Sequence, residues 1–352
     1  MRLEDILEKA KQKEKLEQDE IKFLLNQTEK EQMNKIFKTA RFIREQYFGK
    51  KLFAYGFVYF STYCKNNCSF CFYRAKNNKS PRYRKNLREI VDIAVQLKES
   101  GVHMIDLTMG EDPYFQQHPE KLIKIVSEVK KATGLPIMVS PGVVPDSVID
   151  RLCVAGADWL ALYQETHNRK LYNTMRIEQD YDVRMHAKEY ARKRGLLVEE
   201  GLLAGIGDTV EDRLHSFEEM ERLGASQVRT MTFIPQEGTP MEEHIQNTFL
   251  SELLNIAVMR ILFPEKLIPA SLDVDGIAGL KERLMAGANV ITSIIPPLEG
   301  FMGVAQAETD VDQGYRTIQG IQKTLEECGL TLSTADEFIR WIQEEKEGRV
   351  AV

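Results

Sequence analysis

The 352-residue sequence has no excess of positive charge: 47 Lys and Arg stand against 53 Asp and Glu, a net charge of −6. A chain that grips nucleic acid through its phosphates needs the opposite balance, so no nucleic-acid partner is expected. Nor does any run approach the roughly 18 apolar residues of a membrane span, so no membrane partner is expected either. The opening residues Met1-Arg2-Leu3-Glu4-Asp5 are acidic where a secretory leader is basic, and no apolar segment follows. The expected location is cytoplasmic. Cysteine is scarce, with five residues: Cys64, Cys68, Cys71, Cys153 and Cys328. An odd number with three crowded together fits a secreted disulfide framework poorly and points to a metal or redox site in a reducing compartment. Glycine and proline, 22 and 12 residues, stand at ordinary levels, which excludes collagen-like and low-complexity chains.

What is present is alternation. Residues 1–50 hold 22 charged side chains, yet Met33, Ile36, Phe37, Ala40, Ile43 and Tyr47 follow helical spacing. Thr28 and Glu31 read as a capping box before that helix and Gly49 as its stop, so an amphipathic helical extension is expected over 1–50. Strands are then expected at 52–60, 103–108, 137–140, 159–162, 197–203, 227–232, 267–270 and 290–292. Helical patterns follow them at 87–99, 119–132, 146–155, a region ending near 194, 210–223, 250–263, 277–286 and 315–326. Eight strand-helix pairs imply parallel pairing by right-handed crossovers. They fit an α/β fold of the (β/α)8 TIM-barrel type over 51–330 better than an open sheet. In residues 331–352 a terminal helix is expected, with Phe338, Trp341 and Ile342 on one face and no assigned chemistry. Chemistry in such a barrel gathers at the carboxyl ends of the strands.

Immediately after the first strand stand Cys64, Cys68 and Cys71, spaced Cys-x3-Cys-x2-Cys, with Phe70 before the last. Structural zinc wants four ligands in two pairs, and the nearest further ligand type in the sequence, His103, is distant. Three thiolates suit an iron-sulfur cluster that leaves one iron open to a substrate or cosubstrate. The spacing resembles the signature of the radical S-adenosylmethionine (SAM) superfamily. That resemblance implies a barrel fold, a [4Fe-4S] cluster held by the three cysteines, and SAM as cosubstrate and source of a 5′-deoxyadenosyl radical. It also implies an external one-electron reductant such as flavodoxin or ferredoxin.

The other strand ends extend the likeness. Thr108-Met109-Gly110-Glu111-Asp112 resembles the superfamily's Gly-Gly-Glu motif, which implies that Gly110 and Glu111 hold the amino group of SAM. Tyr163-Gln164-Glu165-Thr166 resembles a segment of the branch containing biotin synthase, the hydrogenase maturase and methylornithine synthase. There a Glu contacts SAM and a downstream Arg pairs with its carboxylate, roles that fall to Glu165 and to Arg176 or Arg184; Phe70 and Ser140 are expected beside the same ligand. The runs 59–66, 104–114, 140–143, 201–208, 229–240 and 268–273 resemble the methylornithine synthase family of that branch, over residues 20–325. The implied substrate is L-lysine, converted to (3R)-3-methyl-D-ornithine through the deoxyadenosyl radical. Arg229 and Ser271 would take its carboxylate, and Asp112 and Asp273 its two amines. A buried Arg with two carboxylates is itself the charge pattern that a dibasic amino acid requires.

Two other readings compete. One is a radical SAM enzyme of the maturase and biotin synthase branch acting on another amino acid; the second is a cluster-binding regulator without catalysis, which accounts for the thiols but not for the loaded strand ends. Cys153 and Cys328 are expected as small buried hydrophobes.

Overall fold

The computed structural model of the chain describes residues 2–244, 249–297, 299–301, 303 and 315–348. Eight parallel strands carry the architecture: β1 (Lys51–Ser61), β2 (Met104–Met109), β3 (Ile137–Ser140), β4 (Trp159–Ala161), β5 (Leu197–Ala204), β6 (Gln227–Thr232), β7 (Pro269–Ser271) and β8 (Val290–Ile294). Their order is β6-β5-β4-β3-β2-β1-β8-β7, and β6 meets β7 through a bridge between Gln227 and Leu267, so the sheet curls into a near-barrel. The (β/α)8 expectation is met. A ninth short strand, β9 (Thr331–Leu332), pairs with β1 at Lys51 and Leu52.

Strand alternation divides the core in two. On β1, Leu52, Ala54, Val58 and Phe60 face outward and join the layer beneath the helices, packed with Ile90, Ile93 and Leu97 of the helix Leu87–Ser100. Gly56 lies on the same outward face, where any Cβ would overlap the Leu97 side chain, so helix and strand approach closely there. Phe53 and Tyr55 face inward with Met104, Met138, Trp159, Leu197, Leu267 and Val290. This inner floor is sealed by the helix Ala335–Lys346, and the three residues expected on one face, Phe338, Trp341 and Ile342, are the ones that enter it. Trp341 lies parallel to Trp159 with ring centroids 6.0 Å apart. Residues 349–352, the end of the expected tail, lie outside the described residues.

The amino-terminal extension forms three helices, Leu3–Lys11, Gln18–Leu25 and Lys30–Phe48. The third starts from Glu29, not Thr28, so position N3 is Gln32 and the expected capping box of Thr28 with Glu31 does not form. The box in this region belongs instead to Glu17 and Glu20, ahead of the second helix. Gly49 does end the third helix, with φ 58°. Arg44, fully buried, donates to the carbonyls of Leu284 and Ala288 and so ties the extension to the barrel. Between β4 and β5 the expected helical region divides into Arg169–Met175 and Tyr181–Lys193. Cys153 and Cys328 are half-buried against the outer core. Cys328 closes the helix Ile318–Cys328 rather than following it. No helix among the described residues is long and apolar enough to cross a membrane.

Candidate active site

The loop after β1 is held at both ends. Ser69 donates its N–H to the carbonyl of Met175 and its hydroxyl to that of Thr174, while Lys65 N–H reaches the carbonyl of Glu111. Arg82 spreads its η-nitrogens over the carbonyls of Thr62, Tyr73, Arg74 and Asn77, closing the loop on itself. Cys68 is buried, and its sulfur receives Gln179 Nε2 at 3.0 Å and Arg176 Nη1 at 3.7 Å. Burial pushes the Cys64 thiol up to about 11, and burial followed by the neighbouring Cys68 and Cys64 pushes Cys71 up as well. The three sulfurs therefore share one electrostatic neighbourhood, with N–H donors aimed at one of them as cluster sulfurs require.

Next to this loop the strand ends build a cradle of paired charges. Glu111 is buried; its Oε1 accepts from Val143 N–H at 3.1 Å and from Arg184 Nη1 at 3.3 Å. Although burial opposes its charge, Arg184 and then the Val143 N–H hold the carboxyl below its usual range. Two glycines make room. A Cβ on Gly110 would overlap the Tyr63 carbonyl, and one on Gly142, where φ is 73°, would overlap the Glu111 side chain. Glu165 has φ 68°, an uncommon backbone state for a residue with a side chain. It pairs with Arg176 Nη2 at 2.7 Å, and the same guanidinium lies over the Phe70 ring at 5.4 Å. Arg176 and Arg184 also converge on one acceptor, the Tyr163 carbonyl, at 3.0 and 2.8 Å. Ser140, half-buried, ends β3 opposite Thr108. Cys68, Phe70, Gly110, Glu111, Glu165, Arg176 and Arg184 thus meet through shared contacts.

Within the barrel, Arg229 of β6 gives its Nε to Glu199 at 2.6 Å, and Glu199 accepts as well from Gln227 Nε2 at 2.6 Å and Tyr163 Oη at 2.7 Å. Burial works against the Arg229 charge, yet Glu199 and Tyr163 hold it firmly protonated. Asp106 of β2 feels Glu199, Arg229 and Asp273, and Thr108 Oγ1 donates to it at 2.9 Å. Burial, then repulsion by Glu199, pushes its carboxyl up to about 7. Ser271 accepts from the Asp273 N–H at 3.2 Å, and Asp273 pairs with the fully buried Arg316 at 3.1 Å.

Asp112 contacts a different set of partners from Asp106 and Asp273. Its side chain is fully buried and takes four hydrogen bonds: Ser61 Oγ at 2.5 Å, Arg84 Nε at 2.7 Å, Arg84 Nη2 at 2.8 Å and Tyr114 N–H at 2.9 Å. These four bonds use its lone pairs, so an ammonium reaching Asp112 would take the place of one of these donors. Asp112 caps the helix Pro113–Gln117 and anchors Arg84, which lies 4.7 Å from the rings of Tyr63 and Tyr114. Two further carboxylates, Asp106 and Glu199, face the interior from within strands rather than from the residues beyond them, where the sequence reading placed the candidates. Their signal was present: a charge in the middle of a strand buried on both faces needs a partner.

Comparison with known proteins follows this geometry. Residues 58–220 match the model of the radical SAM superfamily. The 3-methylornithine synthase of Methanosarcina acetivorans is 43% identical over 323 residues, 92% of each chain. A crystal structure of methylornithine synthase superposes with a TM-score of 0.91 at 40% identity, covering 96% of this chain and 99% of that one. The chain belongs to the methylornithine synthase family. Its match to an [FeFe] hydrogenase maturase subunit of Thermotoga maritima is weaker, 30% over 290 residues and 82% of each chain. As a member of the methylornithine synthase family the protein is a radical SAM isomerase, and a [4Fe-4S] cluster with SAM is its cofactor set. The donor set fits that group: three thiols in one neighbourhood, N–H donors on Cys68, and paired carboxylates and guanidiniums beside two space-making glycines.

Proposed function

We propose that the protein converts L-lysine to its isomer (3R)-3-methyl-D-ornithine, with Cys64, Cys68 and Cys71 holding the cluster. Gly110, Glu111, Ser140, Glu165, Arg176 and Arg184, beside Phe70, would hold SAM. When bound, the cluster and SAM supply a 5′-deoxyadenosyl radical, with the electron delivered by a carrier such as flavodoxin or ferredoxin. Substrate and product share one formula, so no net oxidant is consumed.

The observation that carries the reading is the charge inside the barrel. Among the described residues, Asp106, Glu199 and Asp273 bring three carboxylates, against the two guanidiniums of Arg229 and Arg316. With all five ionised, one negative charge is left over, which an amino acid with two ammonium groups and one carboxylate neutralises. Arg229 spends its Nε on Glu199 and only a weak 3.7 Å bond from Nη1 on the Met231 sulfur, so its η-nitrogens would serve the substrate carboxylate. Ser271 Oγ accepts from Asp273 N–H and can turn its hydrogen to the same carboxylate. Asp106 and Asp273 take the amines. The apolar floor sealed by Phe338 and Trp341 keeps bulk water from reactive carbon centres.

The test is incubation of anaerobically purified, cluster-loaded protein with SAM, a reductant and lysine. An isomer of unchanged mass together with deoxyadenosine supports the proposal, and deoxyadenosine without any lysine-derived isomer overturns it. Arg229→Ala should lose lysine affinity while keeping its iron and sulfide; unaltered affinity would remove Arg229 from this role.

A further inference from the structure

One buried ion pair takes no part in the chemistry above. Lys188, on the helix Tyr181–Lys193, pairs with Glu200 of β5, and neither side chain has any exposed surface. Such a pair adds little to folding, since apolar residues of similar volume often serve as well or better. What it touches is the backbone beside the SAM cradle. In the ladder between β4 and β5 the residue offset is 199 − 161 = 38 at Ala161 and Glu199, and 202 − 165 = 37 at Glu165 and Leu202. One extra residue is therefore inserted on the β4 side, a bulge across Leu162 to Glu165. Leu162 N–H bonds the Glu199 carbonyl and Glu165 N–H the Gly201 carbonyl, so the ladder passes over Gln164.

Glu200 supplies what the ladder omits. Its Oε1 accepts the Gln164 N–H and the Gly201 N–H, both at 2.8 Å. Lys188 Nζ donates to the Gln164 side-chain oxygen at 2.9 Å as well as to Glu200. His167 Nε2 stands 3.6 Å from Glu200 Oε2, itself fully buried. Lys188 is one helical turn beyond Arg184, so a single helix face fixes Gln164 through one residue and the Tyr163 carbonyl through the other. The residues flanking Gln164 both meet cofactor-side arginines: Tyr163 through its carbonyl, and Glu165 through its carboxylate at φ 68°.

We infer that Lys188 and Glu200 are positioning residues for SAM, which hold the β4 bulge so that Glu165 and the Tyr163 carbonyl keep Arg176 and Arg184 in place. The inference rests on the proposed SAM site. Lys188→Met with Glu200→Gln removes both charges together at nearly constant volume, which leaves no lone buried ion. Cluster-loaded parent and double variant would be titrated with SAM, following the change that SAM causes in the EPR spectrum of the reduced cluster, and with lysine. The expected result is normal iron and sulfide, at least about tenfold weaker SAM binding, as loss of one charged hydrogen bond gives, and lysine affinity within about twofold of the parent. Gln164→Met, which cuts the side-chain link but leaves the ion pair whole, should weaken SAM in the same direction and serves if the double variant does not fold. SAM binding equal to the parent in a folded, cluster-loaded variant overturns the inference. A parent that itself shows no SAM response overturns the proposed SAM site instead.

Discussion

Asp106 offers the sharpest test of the substrate site, because its charge is divided between two states near neutral pH. Burial and the facing Glu199 push its carboxyl up to about 7, and Thr108 Oγ1 is the side-chain donor within reach. Below that value Asp106 is protonated and cannot pair with an ammonium. Lysine affinity should then rise with pH, by up to about tenfold per unit below pH 7, and level off above it. Asp106→Asn keeps the shape but never ionises. A charged hydrogen bond contributes about 1.5–3 kcal/mol, so at about pH 8 the variant should bind lysine roughly 10- to 150-fold more weakly. Its affinity should also be flat with pH. The sign for stability is the opposite. A carboxyl with a raised folded pKa binds its proton more tightly in the native state, so its contribution falls as pH rises from about 4 towards 7, and the Asn variant should lack that fall. The assay is calorimetric titration of lysine into cluster-loaded, SAM-saturated protein across that range, with Asp112→Asn alongside. Retention of the parent's pH slope in Asp106→Asn would refute the assignment. So would its loss in Asp112→Asn, for which only lowered thermal stability is expected, from the loosened Arg84 and helix cap.

Three further outcomes follow from the geometry. Changing Cys64, Cys68 or Cys71 to Ala should abolish bound iron, and a variant with full iron content would reject that ligand. Gly142→Ala places a Cβ against Glu111 at φ 73°. It should weaken SAM binding by at least about tenfold while the protein stays folded; parent-like SAM binding would show that Glu111 can move aside without cost. Trp341→Ala empties the barrel floor beneath Trp159 and should cost about 3–5 kcal/mol of stability. An unchanged unfolding midpoint would mean that the floor closes without it.

Local signals account for what the sequence made legible. The alternation of apolar runs and helical patterns marks the barrel because each parallel strand is buried on both faces and each helix on one. The cysteine loop, Gly110, Glu111 and Glu165 stand directly after strands, whereas Arg184 comes later, on the helix Tyr181–Lys193. Asp112 also follows a strand, but the next residue is Pro113 at the first helical position, and Asp before Pro is a helix-start signal, so its capping role was legible as well. Glu199 and Glu200 adjoin in sequence yet face opposite sides of β5, one towards Arg229 and the other towards Lys188. Spacing alone cannot say which of two neighbouring charges looks inward until the register is known. The β4 bulge depends on a pairing between segments 37 or 38 residues apart, and no local pattern reports it.

The two halves of the site are tied to a common residue, Tyr163. Its hydroxyl bonds Glu199, which holds Arg229 on the substrate side, and its carbonyl receives Arg176 and Arg184 on the cofactor side. On the proposed assignment, the distance between the radical source and the lysine carbon would depend on this side chain and the bulge that carries it. Hydrogen abstraction needs the reacting atoms about 3–3.5 Å apart, and a slip of about 1 Å can cost about a hundredfold in rate. Under that assignment, a joint of this kind would give a function to the bulge, the left-handed Glu165 and the buried ion pair found at one point of the sheet. A left-handed Glu165 and a buried ion pair add little or nothing to folding alone, and on the proposed assignment they would hold the cofactor side of that distance.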